Sequence, residues 1–485
     1  MYLGLDIGTS CVKAVVIDDQ GEFVAQSSAP LSVSRPHHLW SEQDPQSWWA
    51  ATGAAVTGLP AHVRSKICGI GLAGQMHGAT VLDRDHRVLR PAILWNDGRA
   101  GAQCAALEAA VPALATITGN RAMPGFTAPK LAWLREHEPD VFGATAMVLL
   151  PKDYIRLRMT GDCASDMSDS AGTLWLDVAG RDWSDTMLAA TGLSRAAMPR
   201  LCEGPEITGQ LRQDIADEWG MPRAPVVAGG GDNAAGAIGA GVVDPGDAFL
   251  SLGTSGVLFL AQADYHPNPA GGVHTFCHAL PGRWHQMAVH LSAASCLDWA
   301  IRLTGFDDTH AFLRTVERRA QPCGREIFLP YLSGERTPHN DPNAAGVLFG
   351  LGHDSGQIEV GQAVLEGVAM AFRDGLDALV LAGSAPASIT IIGGGSRSLY
   401  WGKLLAAALE TNVIYREGSE VGPALGAARL ALLGVAAVPV QHACPAPPIV
   451  RIVEPDAALV DHFARRQPKF RSLYTALSAL FPEAP

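Results

Sequence analysis

The sequence has no basic run, and its 36 Lys and Arg against 48 Asp and Glu leave a net charge of −12. That balance argues against binding nucleic acid or an anionic membrane surface by bulk electrostatics. No apolar stretch reaches the ~18 residues of a membrane span. No basic stretch precedes the first apolar residues, which read at once as a core strand, so a secretory signal is not expected. The nine cysteines are scattered singly from Cys11 to Cys444, without a CxxC or a Cys/His ligand spacing. Reduced thiols in a cytoplasmic protein are the expectation, and a structural zinc site is not. Also missing are GxxxxGK[ST], the spacing of the dinucleotide fingerprint, and GxSxG. A P-loop enzyme, a Rossmann dehydrogenase and a serine nucleophile are thereby set aside.

What is present points to a well-buried globular protein. The chain has 485 residues, 48% hydrophobic and 17% charged, which is too long for one ordinary core. Its 52 glycines are more than the usual share of about 7% and imply tight turns or close backbone approaches. Strand and helix patterns alternate throughout, so the class is α/β. No linker stands out by composition. Helices are expected near 45–58, from about 99 after a strand in PAILWNDGR that ends at Asn96-Asp97, over 127–142 with a Lys/Glu outer face, near 357–382, at 421–435, and at the C-terminus with a break near Pro468.

The stretch LGLDIGTSCVKAVVID, residues 3 to 18, reads as two buried strands around a polar turn. Inside that apolar run sit Asp6, Gly8, Thr9 and Ser10. FLSLGTSGVLFL, residues 249 to 260, repeats Gly-Thr-Ser, with Thr254 lying 254 − 9 = 245 residues after Thr9. Backbone N–H groups and hydroxyls of such turns can hold phosphate oxygens, and a nearby carboxylate can hold hydrated Mg²⁺. An ordinary Asp-stabilised hairpin explains one copy. Two copies, one in each half, favour a two-part phosphate clamp and place a domain boundary near 245, giving domains 1–245 and 246–485.

Three further clusters carry chemistry. Gly229-Gly230-Gly231 leads from a strand into Asp232 and Asn233 at a helix start. That position suits a helix cap and also a general base, since ligands bind at strand ends in α/β folds; the three glycines, which a cap alone does not require, favour the base. With an ordinary pKa of about 3.9, the carboxylate would be ionised without any shift. Gly393-Gly394-Gly395-Ser396 follows an apolar strand and offers bare backbone to a nucleotide. The polar set GQMHG and WNDGR contains Gln75, Met76, His77, Trp95, Asn96, Asp97 and Arg99, a mixture of hydrogen-bonding groups and a flat ring that suits a sugar.

Taken together, Asp6-x-Gly8-Thr9, the Gly-Gly-Asp232 strand end, Gly253-Thr254 and Gly393-Gly394-Gly395 resemble the FGGY carbohydrate kinases. GFTAPKLAWLREH (125 to 137) and GVLFGLGHDSGQIEVGQAVLE (346 to 366) resemble that family's signatures. The resemblance runs from residue 1 to about 435. It implies two actin-like, hexokinase-like domains of ribonuclease H-like topology, with the active site in the cleft between them. AGQMHGAT, RPAILWNDGR, LSLGTSGV and LPYLSGERTPHN are similar to the bacterial members that phosphorylate D-xylulose at O5 with ATP and Mg²⁺, a step of xylose catabolism.

The resemblance makes Asp232 the general base. It places Met76 and His77 at the sugar, where Trp95, Asn96 and Asp97 of the polar set and Asn233 are also expected. Gly8, Thr9, Ser10, Lys13, Gly253, Thr254, Gly394, Gly395 and Ser396 fall to the nucleotide, and Asp6 to the metal. Members commonly have glycine where this chain has Cys11. A homodimer is expected by analogy alone. Ribulose, fuculose, gluconate or glycerol are the alternative substrates. A non-catalytic actin-like sensor is the alternative class, disfavoured because a sensor needs neither Asp6 nor Asp232.

Overall fold

The computed structural model describes residues 1–306, 308–319, 324–381, 385–417 and 422–481. Tyr2–Ile7 and Cys11–Ile17 form an antiparallel hairpin in which Asp6 stands opposite Lys13 and Ile7 opposite Val12. The hairpin lies parallel to Gly69–Gly74. Its sheet continues in the order Ile207–Gln210, Pro225–Val227, Gly69–Gly74, Tyr2–Ile7, Cys11–Ile17, Phe23–Pro30. The hairpin strands are apolar on both faces because both faces are covered. Leu3, Leu5, Val12 and Val16 pack on Trp48, Ala55 and Val56 of the Pro45–Thr57 helix. Tyr2, Val15 and Ile17 pack on Ala424, Ala428 and Leu432 of the Pro423–Ala436 helix. Each such side chain, fully buried, contributes roughly 1.5–3 kcal/mol.

The construction recurs. Ala248–Leu252 and Gly256–Gln262 form a second hairpin with a three-residue turn, Leu252 facing Gly256. Ala248–Leu252 runs parallel to Ser388–Ile392. This sheet reads His274–Cys277, Trp284–His290, Gly256–Gln262, Ala248–Leu252, Ser388–Ile392, Asn412–Arg416, Ile449–Val453. Leu250, Leu252, Leu258 and Leu260 bury against Val364, Val368 and Phe372 of the Gln357–Val380 helix. On the opposite face Phe249, Phe259, Phe276 and Met287 share a cluster with Met76, Phe126 and Ala237 of the first half. The fold is thus two α/β units built on mixed sheets with a joint core between them.

One helix crosses from the second half to the first. Pro423–Ala436 lies so close to the first sheet that a Cβ on Gly4 would sit 1.9 Å from Ala424 O, and one on Gly71 would sit 1.9 Å from Ala427 O. Only glycine permits that approach.

Three expectations need correction. The 127–142 stretch is two helices, Thr127–His137 and Pro139–Ala144, and Lys130 is fully buried rather than on an outer face. The strand in PAILWNDGR is only Ala92–Ile93. The C-terminal helix Ala457–Leu477 runs through Pro468 without a break. It holds because Phe463 and Phe470 are buried, and Gln467 Nε2 donates to Met370 O at 3.0 Å and to Asp374 Oδ1 at 2.7 Å. Those anchors outweigh one missing backbone bond. The expected helix end at residue 382 and the start at Val421 lie outside the described residues.

Candidate active site

Five of the residues singled out from the sequence come together. Met76, His77, Trp95, Asp232 and Asn233 line a cavity of about 220 Å³, closed from the other half by Ser255, Val257, His274, Phe276, Met287, Val289 and Arg336. The first-half residues arrive at the ends of adjacent parallel elements. Met76 and His77 follow Gly69–Gly74, and Asp232 follows Gly230–Gly231, which pairs with Ala73 and Gly74. Gly229 makes this join possible: its φ is +82°, and a Cβ there would sit 1.8 Å from Leu72 O.

Asp232 opens the Asp232–Ala240 helix as its first residue, and the cap position belongs to Gly231. Its Oδ1 accepts from Asn233 N at 2.7 Å and Asn233 Nδ2 at 3.0 Å, leaving Oδ2 for a ligand. Burial raises its pKa to about 6, and the two Asn233 bonds oppose the rise. Desolvation of the helix-start loop thus moves the carboxylate from its ordinary value, and it is still mostly ionised at neutral pH.

His77 is held in one tautomer. Its Nδ1 donates to Gly172 O at 2.6 Å, and burial and the Lys130 charge lower its pKa to about 3. The imidazole is thus neutral with Nε2 as an acceptor. Its backbone has φ +68°. Lys130 Nζ at 2.9 Å and Thr127 Oγ1 at 3.2 Å both donate to His77 O and pin that conformation. The buried Lys130 therefore serves the loop, a role its place in the sequence does not announce.

Asp6 is half-buried, and its buried Oδ1 has no hydrogen-bond partner. Burial first, then the Asp232 charge, raise its pKa to about 7, while Lys13 opposes. A desolvated, unpaired carboxylate beside a second one fits a divalent cation completed by phosphate oxygens and water. Among the described residues there is no group of three His, Cys, Asp or Glu side chains able to hold a metal by themselves. Lys13 Nζ reaches to 3.8 Å from where a Cβ on Gly422 would stand, at the head of the Pro423–Ala436 helix.

The hydroxyls are less free than the sequence implied. Thr9 Oγ1 donates to Gln75 Oε1 at 3.0 Å and accepts from Trp95 Nε1 at 3.0 Å. Gln43 Nε2 donates to Thr9 O at 2.8 Å. Gln43 Oε1 accepts from Gln75 Nε2 and Trp48 Nε1, both at 2.9 Å. Thr9 is thus a brace for its own turn. Gly8 N is likewise committed, to Cys11 O at 3.1 Å. That leaves the rest of the turn backbone and exposed Ser10 to meet a ligand.

In the second turn Gly253 O and Thr254 O accept from Ala294 N at 2.8 Å and Ala293 N at 3.0 Å, while exposed Thr254 and Ser255 face outward. Ser396 Oγ donates to Gly393 O at 2.6 Å and is buried, so it closes its turn rather than offering a donor. A Cβ on Gly394 would meet nothing within 4 Å, whereas one on Gly395 would sit 2.6 Å from Leu252 Cγ. Gly394 therefore faces open space and Gly395 packs on the second hairpin.

Asn96 and Asp97 are not brought to the cavity. Asn96 is exposed. Asp97 is buried, accepting from Ser41 N at 2.6 Å and from Arg99 Nη2 at 2.7 Å, while Arg99 stacks 3.5 Å over Trp40. Asp97 fixes the loop that carries Trp95. Conversely, Ser255, His274 and Arg336 line the cavity unannounced by the sequence reading. Ser255 sits in the repeated Gly-Thr-Ser and Arg336 in LPYLSGERTPHN, and that placement was the signal available.

Comparison with known proteins bears on the same residues. Residues 1–239 match the N-terminal domain and residues 248–435 the C-terminal domain of the FGGY family of carbohydrate kinases. The chain is 55% identical over 484 residues to the xylulose kinase of Escherichia coli strain K12, covering 99% of this chain and all of that protein. A solved structure described as a xyloylose kinase from Brucella ovis superposes with a TM-score of 0.96 at 50% identity, covering 99% of each chain. The xylulose kinase of Rhodospirillum rubrum superposes with a TM-score of 0.91 at 29% identity, again over 99% of each.

Proposed function

The chain belongs to the FGGY family of carbohydrate kinases, and from that premise we propose that it transfers the γ-phosphate of ATP to O5 of D-xylulose. Full-length likeness to xylulose kinases supports this choice of sugar. The observation that carries the reading is the cavity itself. A general-base candidate, a tautomer-fixed histidine, a flat indole and an amide converge there, beside paired Gly-Thr-Ser turns.

In this reading Asp232 Oδ2 accepts the O5–H proton as the O–P bond forms, an effect worth roughly 10²–10⁴-fold. Asn233 holds the other carboxylate oxygen and so fixes which one faces the sugar. His77 Nε2 accepts from a substrate hydroxyl, and Trp95 offers its face to the carbon chain. The exposed backbone of the two turns and Ser10 surround the phosphates, with Lys13 adding charge. Mg²⁺, when bound at Asp6, spreads the phosphate charge. Gly394 leaves room for the nucleoside.

Asp232→Asn in a coupled ADP-release assay is expected to lose turnover by at least about 100-fold. Near-normal turnover in a folded variant would remove Asp232 from this role. A panel of pentuloses, hexuloses and polyols with ATP and Mg²⁺ tests the substrate: D-xylulose is expected to have the highest kcat/KM.

A further inference from the structure

Arg336 is a guanidinium in the sugar cavity contributed by the second half of the chain. It is aimed from behind. Glu335, fully buried, accepts from Leu291 N at 3.1 Å and Arg336 N at 2.7 Å. Thr337 N donates to Val289 O at 3.0 Å. These bonds clamp the loop to the Trp284–His290 strand.

The side chain is then oriented by a relay from the first half. Asn120 Nδ2 donates to Thr118 O and Thr275 O, at 2.8 and 3.0 Å, so its Oδ1 is the acceptor. That oxygen takes the Nδ1 proton of His274 at 2.9 Å. His274 Nε2 is left with a lone pair, which accepts from Arg336 Nη1 at 3.2 Å. Burial and the Arg336 charge push the His274 pKa well below its usual value, in keeping with this neutral tautomer. Stacking of His274 on Phe276, with ring centroids 5.6 Å apart, stiffens the arrangement.

The remaining Arg336 donors match one feature of the substrate proposed above, and the inference rests on that reading. A five-carbon 2-ketose closes its ring only by adding O5 to C2. A molecule whose O5 is free for phosphoryl transfer is therefore open-chain, with a bare C2 carbonyl. A carbonyl oxygen is an acceptor only, whereas His77 Nε2 and Asp232 Oδ2 can only accept. We propose that Arg336, held by the Asn120–His274 relay, donates to the C2 carbonyl oxygen of the acyclic ketose and selects ketoses over the corresponding polyols.

The test compares D-xylulose with xylitol and D-arabitol, the two alcohols formed by reducing its C2. Calorimetric Kd values without ATP, and kcat/KM with ATP, are measured for the wild type, Arg336→Met, Arg336→Lys and His274→Phe. Arg336→Met is expected to weaken D-xylulose binding by roughly 10- to 100-fold and the polyols by less, because their C2 hydroxyl also accepts from Arg336 but brings a proton that a guanidinium cannot accept. Arg336→Lys recovers part of the loss, and His274→Phe shows a smaller loss of the same ketose-selective kind. Polyol binding that persists, though weakened, also reports a folded site. An equal loss on all three ligands, or no loss on D-xylulose, overturns the inference. Failure of the substrate reading looks different: the wild type would prefer another ketose, and the same comparison with that ketose and its alcohols then tests Arg336. A wild type that prefers a polyol overturns both.

Discussion

As the proposed base, Asp232 must carry a charge in a place that disfavours charge. Its pKa is about 6 because the carboxylate is buried. A base must be ionised, so kcat/KM is expected to be present at neutral pH and to fall as pH drops through about 6. A limb at the ordinary value near 4 would show that the site is wetter than the structure implies. The same shift bears on stability. A carboxyl whose folded pKa lies above its unfolded value stabilises the fold below the unfolded value, and loses that contribution as pH rises through the folded one. At pH 7 to 8 the ionised Asp232 is therefore a burden, and Asp232→Asn should be more stable than wild type by roughly 1–2 kcal/mol. Thermal unfolding at pH 7.5 checks the sign; a destabilised variant would contradict it. Asp232, Met76, His77 and Trp95 were legible because strand ends and Gly-flanked polar residues mark binding sites. The commitment of Thr9 to Gln75, 66 residues away, was not legible, nor was that of Asp97 to Ser41, 56 away. A hydroxyl or carboxylate looks the same in sequence whether it faces a ligand or a distant main chain. Even the three glycines before Asp232, read as a sign of catalysis, have a packing reason at Gly229.

At the scale of elements, the close contact between strand backbones and the Pro423–Ala436 helix is sensitive to a single methyl group. Gly4→Ala or Gly71→Ala would drive a Cβ into a helix carbonyl, and helix or strand must shift. Each is expected to cost about 2 kcal/mol or more, read as a lower urea midpoint. Gly143→Ala serves as the control, since a Cβ there meets nothing within 4 Å and it lies in the Pro139–Ala144 helix. It should be neutral or stabilise by up to about 1 kcal/mol. If Gly4→Ala and Gly143→Ala behaved alike, the packing described for the helix would be wrong. The two hairpins and the strand–glycine–helix units were readable because apolar runs interrupted by Gly-Thr-Ser or Gly-Gly-Gly have few other solutions. Pro468 misled because local rules see the missing N–H but not Gln467 bonded to Met370 and Asp374.

For the molecule as a whole, the cavity has one wall from each half of the chain, and the charged groups facing each other across it are Asp232 and Arg336. A ligand bound there gains contacts only if both walls reach it, so binding and closure are linked. Small-angle scattering is expected to give a smaller radius of gyration with D-xylulose and a non-hydrolysable ATP analogue than without ligands. An unchanged radius would mean that the cleft already stands at its working width. The covering of the first sheet by Pro423–Ala436 reaches further than packing. During synthesis the Tyr2–Ile7 and Cys11–Ile17 strands emerge first, yet the helix that covers one of their faces is made roughly four hundred residues later. Until then the cluster around Tyr2, Val15 and Ile17 has Val227, Ala234 and Ile238 but lacks Ala424, Ala428 and Leu432. The nascent chain therefore carries a partly open apolar surface beside its first Gly-Thr-Ser turn for most of its time on the ribosome. Completion of the first sheet's cover therefore waits on one of the last segments made, and a chain that stops short of it keeps part of this face exposed.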